Sequence, residues 1–378
     1  EVLKDASATA IYGALGANGV VLITTKSAKS DRLTVRFSAG MDVSSASKRM
    51  DMLTFDEYCD FLTDMNALDP GTTAEALLYK IYEDPVNRTG LKVKPVDWQE
   101  ECLRNAVSQR YHLALYGKPK SVTYSFAIGY NNKQGIIKGT GIEQYTMRTN
   151  IEKKTKRFEF GTRINLSYLD SKMTQSTGGG RMTPATSMIR SMVSFRPYTR
   201  NDMEEDDLTD DDEDLKASPD RWINTDHYFN GRKEIRVTPS AFGQVKIFKW
   251  LTFKSVLGAD YRHSAREKFK SAHINTTTTG SNGAQGTYKY FNWNWDNTFQ
   301  ISKRWGNHKI NGTIGSSLYS NSATTHSIEG WNIAQYKAGV DAIVTAPNRS
   351  IVYSESASQT LSFFARAIYN YRDRYVFT

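Results

Sequence analysis

The residues best suited to chemistry stand near the start of the chain. In YGALGANGVVLITTK, residues 12–26, glycines recur at Gly13, Gly16 and Gly19. Such glycines cradle a phosphate when a strand leads into them and a helix leaves them, because the helix N-terminus then faces the anion. Here the order is reversed. The preceding DASATAIY is alanine-rich and helix-forming, whereas residues 20–25 are β-branched and strand-forming. Gly13 therefore reads as a helix C-cap and Gly19 as a turn glycine ahead of a strand. No Lys-Ser or Lys-Thr follows to complete a nucleotide loop. The histidines, His112, His227, His263, His273, His308 and His326, are dispersed, and the chain has no HExxH, CxxC or GxSxG. Metal-assisted hydrolysis, dithiol redox chemistry and nucleophile-elbow catalysis thus lose their usual sequence basis. The chain reads as a non-enzyme that needs no cofactor.

Three weaker features remain. The acidic run EEDDLTDDDED at 204–214 lacks the glycine and terminal glutamate of a calcium loop. It reads as a solvated loop, with weak calcium bridging as the alternative. Trp222, Tyr228, Phe229 and Trp331 lie in long connections, where aromatics either stack on a sugar or pack a loop or partner. Cys59 and Cys102, the only cysteines, share one insert between strands. They are either two buried free thiols or, in an exported protein, a disulfide, since spacing alone fixes no Cα separation.

Composition narrows the class. Of 378 residues, 12% are aromatic, and the 21 tyrosines outnumber the 17 phenylalanines. Mean hydropathy is −0.55. No apolar run approaches the ~18 residues of a membrane helix, which excludes a helical membrane protein but not a β-barrel, whose alternating strands escape hydropathy averaging. The net charge of +9 is spread along the chain rather than striped, which argues against nucleic acid as a partner. The chain starts at Glu1 and ends on YVFT inside a strand-like pattern, so it is read as a fragment.

The elements supply the architecture. After Lys26 the apolar residues recur with period two: Leu33, Val35, Phe37, Ala39 and Met41 alternate with Thr34, Arg36, Ser38 and Gly40. The same alternation predicts strands at 33–43, 110–118, 121–131, 142–153, 157–170, 235–248, 251–263, 288–303, 308–321 and 359–372, with another from Tyr375. Long connections (44–109, 132–141, 171–234, 264–287, 322–358) alternate with turns of a few residues. Short turns at one end and long loops at the other are the layout of an outer-membrane barrel, and strands of ten or more residues exceed the five or six usual in soluble sandwiches. The apolar faces also begin and end on aromatics, as in Phe158, Phe160, Ile164, Leu166, Tyr168, which describes two interfacial girdles around a lipid-facing middle. The competing class is a soluble, secreted β-rich carbohydrate-binding module, in which both strand faces pack on protein.

EVLKDASATAIYGALGANGVVLITTK resembles the end of the plug domain of SusC/RagA-type TonB-linked outer-membrane transporters. DWQEECLRNAVSQRYHLALYG, YSFAIGYNNKQGIIKGTGIEQYTMRTNIE, WNWDNTFQISKRWGNHKINGTIGSS and LSFFARAIYNYRDRYV resemble, in order, the family's first loop and successive barrel strands. The resemblance implies an all-β fold: a partial antiparallel transmembrane β-barrel, about 10–11 of roughly 22 strands, with the C-terminal piece of a plug. It assigns 1–28 to the plug and 29–378 to the N-terminal part of the barrel, with extracellular loops at 44–109, 171–234, 264–287 and 322–358. In the plug motif Tyr12, Gly13, Gly16, Asn18 and Gly19 are structural, and Leu15 replaces the arginine usual in the family. The implied activity is TonB-dependent import of an oligosaccharide or peptide across the outer membrane of a Gram-negative bacterium. The implied partners are the TonB–ExbB–ExbD complex, contacted through a preceding N-terminal region, a SusD-like surface lipoprotein and outer-membrane lipid.

Overall fold

A computed structural model describes residues 2–3, 20–21, 31–173, 188–200, 218–274, 280–334, 336–372 and 374–377. Tyr12, Gly13, Gly16, Asn18 and Gly19, like the acidic run at 204–214, lie outside the described residues. Of 1–28 the structure gives one feature. The two-residue strands β1 (Val2–Leu3) and β2 (Val20–Val21) pair antiparallel.

The remaining order is β3 (Thr34–Ser44), α1 (Phe55–Leu68), α2 (Thr73–Ile81), β4 (Tyr82–Asp84), β5 (Thr89–Leu91), β6 (Val93–Pro95), α3 (Trp98–Cys102), β7 (Ala106–Gly117), β8 (Val122–Gln134), β9 (Gly141–Lys154) and β10 (Phe158–Lys172). Then come α4 (Met188–Ser194), β11 (Tyr198–Arg200), α5 (Pro219–Ile223), β12 (Tyr228–Phe248), β13 (Leu251–Lys270), β14 (Ser281–Trp305), β15 (His308–Ile333), β16 (Asn348–Tyr371) and β17 (Tyr375–Phe377). No described helix is long and apolar enough to cross a membrane.

One antiparallel sheet of 11 strands dominates, in the order β3-β7-β8-β9-β10-β12-β13-β14-β15-β16-β17. Each strand pairs with the next long strand in sequence: turns of a few residues force this for β7–β8, β9–β10, β12–β13, β14–β15 and β16–β17, and the pairs between them form across the longer connections. β3 and β17 are its two edges. Every predicted strand is present, but β12 to β16 run further than the alternation suggested. β13 continues to Lys270, β14 starts at Ser281, β15 reaches Ile333 and β16 starts at Asn348. The expected loops 264–287 and 322–358 therefore shrink to 271–280 and 334–347. The added segments, such as SNSATTHS in β15 and SESASQT in β16, are polar on both faces, so no period-two signal marks them even though the backbone ladder persists.

Pro239 sits inside β12, where it offers no N–H. The register to β13 passes from Val237↔Tyr261 to Ser240↔Gly258, and a bulge between Lys246 and Phe248 ends the strand. The short turn after β14 holds Gly306 at φ 53°, a left-handed position that suits glycine.

Burial is concentrated at the long-connection end. α1, α2, β4 and β6 close a small core around Cys59, Leu62, Leu78, Ile81, Val93 and Tyr198. Helix α1 starts with a capping box: the Glu57 N–H donates to Thr54 Oγ1 at 3.4 Å, and the Thr54 N–H donates to Glu57 Oε2 at 2.8 Å. A second core joins Cys102, Ile137, Met188, Met192, Trp222, Tyr228 and Ile274, and a third gathers Ile333, Ala342, Ile343 and Ala346.

Candidate functional site: a two-faced wall and its loops

The register sorts the sheet into two chemically different faces. One row runs Ala241, Leu257, Trp295, Leu318 and Leu361 across five strands, and another runs Leu113, Ile128, Met147, Leu166 and Val237. These side chains face away from the protein's own packing. Phe37 is 65% exposed, Leu257 52% and Phe363 77%, and Val35, Ile128, Ile164 and Leu166 are also exposed. Phe126 is half-buried between its paired neighbours Leu115 and Thr149. A sandwich core would have buried Ile164 and Leu257, so a soluble module does not account for this face. An apolar surface of this size needs a partner phase.

Aromatics bound that surface on both sides. At the long-connection end Tyr111, Tyr130, Tyr145 and Tyr168 stand side by side on four neighbouring strands, with successive ring centroids 6.3, 5.0 and 6.3 Å apart. Tyr130 and Tyr145 donate hydrogen bonds to Glu143 at 2.7 and 3.0 Å. At the short-turn end Phe158 and Phe160 are exposed, Phe253 packs on Phe299 at 4.8 Å, and Trp250 and Trp305 follow. From Phe158 to Tyr168 the strand advances about 33 Å. A tilt near 40° reduces this to about 25 Å, the height of the apolar band of an outer-membrane barrel.

The opposite face is wet chemistry. Arg36, Arg163, Lys254 and Arg366 lie on it, as the alternation predicts. Arg236 makes a forked contact to Asp260, with Nε at 2.9 Å and the terminal nitrogen at 2.7 Å. Arg232 pairs with Glu234, whose other oxygen lies 3.9 Å from Arg262. Arg163 and Lys254 approach the Phe242 ring at 5.6 and 5.8 Å. Tyr290 and Tyr319 meet at 3.4 Å, and Ser317 donates to Asp296 at 2.5 Å. Such a surface belongs in contact with water or a polar ligand.

The loop aromatics are divided by their burial. Trp222 and Tyr228 are taken up by the second core, 2% and 4% exposed, with centroids 5.0 Å apart and Lys270 over the Trp222 ring at 5.4 Å. Of the two roles that the sequence leaves open for these aromatics, ligand stacking or loop packing, the burial of Trp222 and Tyr228 favours loop packing. Phe229 is half-buried opposite Phe269, and Trp331 is half-buried near the tip of β15. Cys59 and Cys102 are free thiols in separate cores. Burial raises the Cys59 thiol, which receives a hydrogen bond from Tyr82 at 3.6 Å, and pushes Cys102 up to about 12.

Sequence reasoning missed a cavity of about 730 Å³ between residues 49–55, 95–99 and 192–197. Its walls are pinned across long separations. The Gln99 amide exchanges two hydrogen bonds with the Met50 backbone at 2.9 and 2.8 Å, and Trp98 Nε1 donates to the Arg196 carbonyl at 2.6 Å. Pro95, Trp98 and Pro197 line it, while Met50, Met52 and Leu53 are exposed at its mouth. No local periodicity signals a cavity assembled from three separate segments.

A single antiparallel meander, lipid-facing on one side and polar on the other, defines the wall of a transmembrane β-barrel of the outer-membrane class. No protein-family profile matches the chain. Among curated proteins it is 28% identical over an alignment 397 positions long to TonB-dependent receptor P26 of Formosa agariphila, covering 100% of this chain and 37% of that receptor. It is 31% identical over 172 residues to the TonB-dependent receptor SusC of Bacteroides thetaiotaomicron, covering 45% of this chain and 16% of SusC. Among solved structures it superposes on the RagAB peptide transporter with a TM-score of 0.71 at 20% identity, covering 98% of this chain and 44% of that one, a likeness of fold. The chain is SusC/RagA-like: similar in sequence to TonB-dependent receptors and in fold to the RagAB transporter. The relatives are receptors, not enzymes. The chain spans little more than a third of the curated relatives that it matches over its whole length.

Proposed function

We propose that the protein containing this wall imports a large nutrient, an oligosaccharide or a peptide, across the outer membrane of a Gram-negative bacterium, driven through TonB–ExbB–ExbD. The observation that carries the reading is the two-faced sheet: an apolar belt between aromatic girdles outside, and hydrogen-bonding and ionic side chains inside. The plug-like sequence at 1–28 ahead of the barrel strands favours a gated importer over an open pore. The long-connection end is extracellular in this reading. There the cavity between α3 and α4 and the half-buried Phe229 and Trp331 are candidates for contact with a SusD-like lipoprotein or with cargo. The name of the RagAB transporter supports a peptide, and that of SusC leaves the choice of cargo open. Deleting TonB from the host should abolish uptake of the cargo while leaving the receptor in the outer membrane. Undiminished uptake would overturn the proposal.

A further inference from the structure

The short turns carry a charge pattern that import does not use. They read KPK at 118–120, KKTKR at 153–157, KW at 249–250 and KRWGNHK at 303–309. The carboxylates flanking these turns and the strand ends beside them are Asp31, Glu152, Glu159 and Asp373, and Glu159 is already paired with Lys154 at 2.6 Å. This rim is therefore strongly cationic.

On its lipid-facing side lies a groove of about 410 Å³ lined by Trp250, Ile301, Lys303, Trp305 and Ile310. Trp250 stacks on Phe248 at 5.4 Å and Trp305 on His308 at 5.7 Å, so the two indoles stand as fixed walls over an isoleucine floor. Lys303 holds its ammonium 5.7 Å from the Trp250 ring centroid. Trp250 and Trp305 are 38% and 44% exposed, at the level where amphipathic rings meet a membrane–water boundary.

We propose that this groove binds an anionic phospholipid of the leaflet that meets the short turns. Its phosphate sits on Lys303, with Lys249 next along the turn, and an acyl chain lies along Ile301 and Ile310. The basic turns on either side extend the attraction along the rim. The choice of an anionic lipid follows from charge complementarity, and the inference rests on the membrane reading above.

The test uses the full-length receptor in mild detergent, titrated with phosphatidylglycerol, phosphatidylethanolamine or lipid A and read by native mass spectrometry. Phosphatidylglycerol should be held about tenfold more tightly than phosphatidylethanolamine, and Lys303→Gln should remove about fivefold of that preference. Trp250→Leu combined with Trp305→Leu should weaken both phospholipids, whereas Lys233→Gln at the opposite rim should change neither. Lys303 is exposed at the surface, so Lys303→Gln carries the test even if the tryptophan variant does not fold. Equal retention of the two phospholipids, unchanged retention by Lys303→Gln, or displacement of phosphatidylglycerol by lipid A in a receptor that fractionates with the outer membrane overturns the lipid site alone. A receptor that does not fractionate with that membrane overturns the membrane reading and the lipid site with it.

Discussion

Leu257→Arg tests the lipid-facing belt where it should be most sensitive. Leu257 lies four residues from Phe253 and four from Tyr261, midway between the girdles, and is 52% exposed between Ala241 and Trp295. A cation at the bilayer midplane costs a barrel about 2–4 kcal/mol. Losing the lipid contact of a half-exposed leucine adds about 1 kcal/mol. The sum, about 3–5 kcal/mol, lowers the folded-to-unfolded ratio by roughly 10² to 10⁴. The neighbouring Val256→Arg provides the comparison. Val256 points to the other face, directly opposite Phe242 and Asp296, so its arginine meets a carboxylate and water and should cost under about 1 kcal/mol. Guanidinium unfolding of the full-length receptor in vesicles, followed by tryptophan fluorescence, gives both numbers. Equal midpoints for the two variants would refute the assignment of faces, and with it the barrel.

Other changes probe the loops. Trp98→Phe removes the donor to the Arg196 carbonyl and should cost about 1–2 kcal/mol, seen as faster hydrogen exchange in residues 188–198 with the sheet unchanged. Thr54→Ala breaks the capping box and should destabilise α1 by about 1 kcal/mol, measured by exchange of its first-turn amides. Cys102 titrates near 12 in the folded protein because burial disfavours the thiolate, whereas the unfolded thiol ionises near 9. Its contribution to stability is therefore constant below pH 9 and is progressively lost between pH 9 and 12, so the stability difference between the native protein and Cys102→Ala should change only in that window. Both buried thiols should resist alkylation at pH 8 until the loops unfold, and rapid labelling of native protein would contradict the two loop cores.

The sequence made the membrane-facing part of the wall legible because lipid and water impose opposite demands on alternate residues. Phe253, Leu257 and Tyr261 could be assigned to one face and Lys254 to the other for that reason alone. Where β14 to β16 leave the belt, both faces meet water, alternation disappears, and residues such as those of SNSATTHS read as loop although they are paired throughout. The loop cores were illegible for a different reason. Trp222 meets Cys102, Ile137, Met188 and Ile274, five residues from five separate segments, and no spacing along the chain announces that meeting. An aromatic in a long connection therefore looked available for a ligand when it was already enclosed.

The extra length of the later strands has a mechanical consequence. β15 has 26 residues and β16 has 24, whereas β7 to β10 have 12 to 15. About 11 residues cross the hydrocarbon, so on the tall side some 15 more stand clear of it and rise about 35 Å at the same tilt. The barrel mouth is thus a stepped collar, with stiff staves on one flank and a low parapet on the other. Because β15 and β16 are hydrogen-bonded to each other along their whole length, a push at their tips should be carried toward the bilayer as movement of the pair.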